Sequence, residues 1–293
     1  MSEFTAVGPA LDLRGPLPVA PPQSLLRTPI FDETGDRVGV VVDTDATRVL
    51  NGVNVWMYPT GCSALWEPCS DGTFRVKEDE STQLTPRFDS FVVYKTITCS
   101  TISVGANEVA QEFADRAAAV LDATLSAGVE RMLAEGLVGS SNPFFGDANV
   151  QVLNSGTAVS PRVGVSFLED AIGATCRQGI LHLTPAVIAG LPAPFQEEGT
   201  LMTANGTPVV SGMGYQGIDT PWLASPGDGE DWVFATGGVQ VHLGPLVMTT
   251  LRESLDRAEN VVTFRAEKYV LAIWDGIDDE ELAAAAVLVD WTT

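Results

Sequence analysis

Lysine is nearly missing from this 293-residue sequence: Lys77, Lys95 and Lys268 are the whole supply, against 38 acidic residues. Lys and Arg together number 16, and the formal net charge is −22. A face that reads nucleic-acid sequence needs clustered cations, and the arginines here are scattered, so that class is excluded. Histidine is scarcer still: His182 and His242 lie far apart. The four cysteines, Cys62, Cys69, Cys99 and Cys176, form no C-x-x-C pair. These shortages argue against a zinc site. No apolar run approaches the ~20 residues of a membrane span. The opening MSEFTAVGPALDL has no basic start ahead of an apolar block, so no signal peptide is expected and synthesis in a cytosol is. Free thiols are expected there, although Cys62 and Cys69 flank a Trp-Glu-Pro loop and could bridge if oxidised. No G-x-S-x-G, H-E-x-x-H or Walker A motif occurs, and no acid, base and nucleophile converge, so an enzyme is not supported.

What the chain does have is one long helical pattern, from Asn107 to Gly136. Val109, Phe113, Ala117, Val120, Leu121, Leu125, Val129, Met132 and Leu133 recur at spacings of three and four, which makes one apolar stripe. Glu112, Asp115, Asp122 and Glu130 fall off it. Asn107 suits the N-cap and Gly136 the C′ position. Such a helix is roughly 45 Å long and reads as a strut. Gly128 is a point where it is expected to bend or break.

Before the helix, residues 1 to 30 hold six prolines, a density that blocks helix and central strand alike. The stretch reads as a disordered tail, or as an extended arm that buries Leu25, Leu26, Ile30 and Phe31 on a neighbouring copy. DRVGVVVDT and GVNVWMYPTG read as strands. A charged excursion follows, carrying Trp66, Phe74 and Lys77, as a solvated loop or a clasp between subunits. SFVVYKTITCSTISVG is a strand leading into the helix.

After the helix, Ser166 and Glu169 have the S-x-x-E spacing of a capping box, so a second helix is expected to run to about Gln178. GILHL reads as a buried strand. Thr184-Pro185 opens a short helix. Asn205-Gly206 marks a hairpin turn. SPGDGEDW is an acidic loop, and WVFATGGVQVHLG a strand pair or one bent strand. Val261 to Trp274 alternates as one long strand. IDDEELAAAA reads as an acidic insertion with helical character, and AVLVDW closes the chain as a strand.

Three features invite chemical readings. Gly212-Met213-Gly214-Tyr215-Gln216-Gly217 fits G-x-G-x-x-G, but no convincing helix follows it, so a glycine-rich loop is preferred to a nucleotide site. His182, between Leu181 and Leu183, reads as a satisfied core or interface histidine, as does His242 in V-H-L. Asp278, Asp279, Glu280 and Glu281 read as a solvated run. No cofactor or metal is expected.

The order of parts resembles the major capsid proteins of tailed phages, whose Hong Kong 97 fold is shared with encapsulins. SFVVYKTITCSTISVG, FLEDAIGATCRQGILHLTPAVIAGL and NVVTFRAEKYVLAIWDG look like actinobacterial-phage capsid strings. The resemblance implies an α+β fold with an N-terminal arm at residues 1–30, an E-loop and flanking strands at 31–100, and a spine helix at 101–136. An axial domain at 137–245 and peripheral-domain return strands at 246–293 complete it. It implies hexamers and pentamers closing into an icosahedral shell around double-stranded DNA, with no membrane involved. A separate scaffolding protein, a portal and a decoration protein are the implied partners. The shell belongs to the virion and is made in the bacterial cytoplasm. Some relatives crosslink a loop lysine to an asparagine; Lys77 and Asn260 are the conceivable pair, and a solvated Lys77 is preferred. An encapsulin-like compartment, an accessory virion protein and a cytosolic α/β enzyme are the other readings. The contact candidates are Leu25, Leu26, Ile30, Phe31, Trp66, Phe74 and Lys77.

Overall fold

The structure is a computed structural model. It describes residues 21–27, 40–43, 52–55, 57, 84–100, 107–137, 139–191, 195–197, 200–250, 261–278 and 281–293. Expectations for Ile30, Phe31, Cys62, Trp66, Cys69, Phe74, Lys77 and Asn260 lie outside those residues.

Helix α1 runs unbroken over Asn107–Glu135. The break expected at Gly128 does not occur. A Cβ there would lie 2.9 Å from Val93 Cγ1, so the glycine lets the helix approach the strand beneath it. Along α1, Ala117, Leu121, Leu125, Val129, Met132 and Leu133 are buried as the stripe predicts. Asp115 and Asp122 are exposed. Glu130 is fully buried, and that corrects its placement off the stripe. The last turns of α1 are buried over a wider arc, because a 3-10 turn at Leu25–Arg27 and another at Met213–Tyr215 pack on them.

Two larger sheets share this helix. The five-stranded sheet is centred on β13 (Val261–Trp274), the long strand expected. One side of β13 pairs over ten residues with β4 (Phe91–Ser100), and Phe91 meets Val270. The other side takes β11 (Val239–Leu243) and β12 (Val247–Thr250) in succession. β1 (Val40–Asp43) then pairs parallel with β11.

The seven-stranded sheet has the order β5 (Gln151–Val152), β14 (Ala285–Asp290), β10 (Glu230–Thr236), β6 (Ile180–Leu183), β9 (Pro208–Ser211), β8 (Thr200–Met202), β7 (Phe195–Glu197). Its central strands alternate between two cores. Ile180, Trp232, Phe234, Ala286 and Leu288 face the core shared with α1. Leu181, Leu183, Val233, Ala235, Val287 and Val289 face α2 (Pro161–Ala174) and α3 (Pro185–Ala189). Both faces are covered, so these strands read as unbroken apolar runs. A third, two-stranded piece joins β2 (Val53–Asn54) to β3 (Arg87–Phe88).

Three local expectations need correction. α2 begins at Pro161, not near Ser166, because proline is preorganised for the first helical turn. Ser166 Oγ instead donates to the Val163 carbonyl (2.7 Å), and the Glu169 side chain reaches from within α2 to accept from Asn205 Nδ2 (2.8 Å) at the Asn205-Gly206 turn. WVFATGGVQVHLG is neither a hairpin nor one bent strand: β10 and β11 join different sheets, and the chain crosses between them at Gly237-Gly238. Residues 281–284 are not helical; Leu282, Ala283 and Ala284 are buried on the approach to β14. β14 then joins the seven-stranded sheet.

Two expectations agree with the structure. Gly206 has φ 83 at the β8–β9 turn, and the Thr184 hydroxyl caps α3 by accepting the Val187 N–H (3.3 Å). The free-thiol expectation fails at Cys176, which sits at the surface turn ending α2 (φ 54) and is disulfide-bonded.

Candidate assembly surface and the Glu130 junction

Of the expected contact residues, the structure describes two, Leu25 and Leu26. Leu25 is fully buried and belongs to the chain's own core, and Leu26 packs partly buried against the same core. Residues 21–27 therefore lie on their own subunit. Three hydrogen bonds hold them there. The Leu25 N–H donates to Glu130 Oε1 (2.9 Å), the Leu26 N–H to Ser126 Oγ (3.1 Å), and the Ser211 N–H to the Gln23 carbonyl (2.9 Å). Arg27 and Asp122 add an exposed ion pair at 3.4 Å.

Glu130 is the knot of this arrangement. Its Oε1 also accepts from the Ser126 hydroxyl (2.9 Å), and its Oε2 accepts the Gly214 N–H (2.9 Å). One carboxylate thus joins the amino-terminal segment, the long helix and the glycine-rich loop. All three partners are neutral donors, so loss of water outweighs them and burial pushes the Glu130 carboxyl above its ordinary range. The GMGYQG string is a backbone loop built to meet a helix. A Cβ on Gly214 would sit 2.3 Å from the Ala127 carbonyl oxygen. A 3-10 turn, not a longer helix, follows the strand, which removes the dinucleotide reading.

His182 is fully buried, with Nδ1 2.9 Å from the Tyr215 hydroxyl and Nε2 2.9 Å from Thr236 Oγ1. Burial lowers its pKa to about 3, so the ring is neutral and both nitrogens are occupied. Burial and the nearby Glu130 charge raise the Tyr215 phenol. This is a closed polar network in a core, and it has no open position for a reacting molecule. Phe145 stacks against it and joins the two sheets. Its ring is 4.7 Å from His182 and 5.7 Å from Phe234 on one side, and 5.1 Å from Trp274 on the other.

Among the described residues, no group of three His, Cys, Asp or Glu side chains is arranged to hold a metal, and no helix is long and apolar enough to cross a membrane. Exposed apolar residues are the remaining functional signal. Leu246, Val247 and Met248 are consecutive and exposed at β12, and Tyr94 is exposed on β4. No reading of the sequence singled them out, although PLVMTT is an uncharged run in a strongly acidic chain.

The sequence matches no protein-family model and no curated protein. Solved structures do resemble it. The chain is similar to the capsid of an empty GTA particle at 15% identity, over 94% of this chain and 92% of that one, with a TM-score of 0.51. The capsid of a native GTA particle is similar at 12% identity over 99% of each chain, also with a TM-score of 0.51. The holo-SrpI encapsulin complex from Synechococcus elongatus PCC 7942 is similar at 15% identity, covering 85% and 86%, with a TM-score of 0.48. The fold is the α+β fold of Hong Kong 97-type capsid proteins.

Proposed function

We propose that this chain is the major capsid protein of a tailed phage, a non-enzymatic subunit that assembles through hexamers and pentamers into an icosahedral head around double-stranded DNA. The observation that carries the reading is likeness to capsid chains over nearly the full length of both molecules. Supporting it, the closed polar network and the glycine-rich loop are accounted for by packing. Residues 1–30 then serve as an arm whose described part, residues 21–27, is anchored on its own subunit at Glu130. The excursion carrying Trp66, Phe74 and Lys77 reaches a neighbour. A net-negative shell suits a protein that encloses DNA without reading it. Scaffolding, portal and decoration proteins are its further partners.

Cryo-electron microscopy of the expressed full chain tests this. Closed shells with six-fold and five-fold capsomers are expected, and a compact monomer or dimer at every concentration would remove the proposal. Particles that carry an enzyme cargo and no DNA would instead favour an encapsulin-like compartment.

A further inference from the structure

We propose that the outer edge of β12 is a docking site for a second copy of this chain, and that it receives the free edge of the copy's β4, so that the five-stranded sheet continues from one subunit into the next. The inference rests on the shell reading above and names a contact within it.

The geometry begins at β13. β4 lies along one side of it, and β11 and β12 along the other. β1 covers the outer edge of β11. Nothing among the described residues pairs with the outer edge of β12 or of β4. A bare strand edge presents a row of unmet N–H and C=O groups, which proteins ordinarily blunt with charge, proline or a bulge. β12 has none of these within it: Val247, Met248, Thr249 and Thr250 are uncharged. Both of its faces are bare as well. Val247 is 36% exposed and Met248 39%, with Leu246 at 42% just before them.

Charge selects the occupant. At −22, two copies repel through most of their surfaces. Residues 91–100 contain no acid and one lysine, Lys95, and residues 245–250 contain no charge at all. The nearest acid on the sheet is Glu267, and Arg265 holds it at 3.0 Å. These two edges are where acidic copies can meet without a carboxylate facing a carboxylate.

Direction follows from the ladders. β4 and β12 both run antiparallel to β13, so they run the same way. Repeating the subunit head to tail brings β12 against the next copy's β4 as a parallel pair. Such a heterologous contact closes rings when its rotation permits. Glu267 pairs with both Tyr94 and Val247, which places those two side chains on one face of the sheet, at opposite edges. Tyr94 is 56% exposed, with one ring face under the Arg265 guanidinium at 4.1 Å, and the exposed remainder of the ring is what would cover Val247 of the neighbour.

The test uses the full chain and the double variant Val247→Asp, Met248→Asp. Sedimentation velocity across concentration should show association weakened at least tenfold in the variant, with the thermal midpoint of the dilute chain unchanged. Hydrogen exchange on the parent should show amides of Val92–Thr98 and of Val247–Thr249 becoming protected together on association. If the parent forms closed particles and the variant does so equally well, or those amides gain no protection, the edge pairing is wrong and the shell reading stands. If the parent stays monomeric at every concentration, both fall.

Discussion

Every residue of β6, in the middle of the seven-stranded sheet, is buried, whereas β12 in the five-stranded sheet leaves Val247 and Met248 in solvent. Both strands are four residues long and carry no acid. What differs is the cover. α2 and α3 close one face of the seven-stranded sheet and the α1 core closes the other, while α1 covers only part of one face of the five-stranded sheet. The first sheet satisfies itself within one chain. Among the described residues, the second is left with bare edges and an exposed flank, and in a shell protein that is where other copies are needed.

The most severe way to break this contrast is to cut the link between the two sheets. Phe145→Ala removes the ring that touches both, and a loss of about 3–5 kcal/mol is expected from a cavity of that size, read as a lower denaturant midpoint. Next comes Glu130→Ala. It leaves the Leu25 and Gly214 N–H groups buried without acceptors, and about 3 kcal/mol should be lost. The variant should also release residues 21–27, which limited proteolysis would report.

Acid titration separates the two buried groups. His182 has its pKa lowered to about 3 in the folded chain, against 6.5 unfolded. The unfolded chain therefore binds the proton first. This contribution is complete above pH 6.5 and is lost as pH falls toward 3, by about 1.4 kcal/mol per pH unit. His182→Gln should flatten that limb in denaturant melts run between pH 7 and 4. Glu130 acts in the opposite sense. Its pKa is raised from 4.5, so its contribution is full below 4.5 and is lost as pH rises through the raised value.

Smaller effects sharpen the picture. Gly214→Ala must push the loop from the Ala127 carbonyl, and a cost of about 2 kcal/mol is expected in thermal melts. Asp122→Ala breaks an ion pair whose carboxylate side chain is 62% exposed, and the same melts should move by about 0.5 kcal/mol or less.

Much of the scaffold was legible because it depends on local pattern. The three-and-four spacing places α1 to within a residue, approximate alternation places β13, and Asn205-Gly206 and Thr184-Pro185 declare their turns. What was not legible depends on contacts between distant segments. Nothing in NEVAQEF…ERMLAEG marks Glu130 as buried, since the groups that bury it come from Leu25 and Gly214. Glu169 looked like a cap because its spacing to Ser166 is right, yet its partners are Thr203, Asn205 and Thr207 on a hairpin some 35 residues on. The exchange of β10 and β11 between sheets turns on two glycines that a strand pattern reads as a simple break. The exposed β12 edge was missed for a related reason: an apolar run reads as core until its neighbours are known.

Light scattering of the purified full chain, followed from dilute to concentrated solution, tests the central claim most directly. A jump from subunit-sized species to uniform closed particles is predicted, with few sizes between. A single small radius at all concentrations would contradict the claim that this molecule completes its burial on copies of itself.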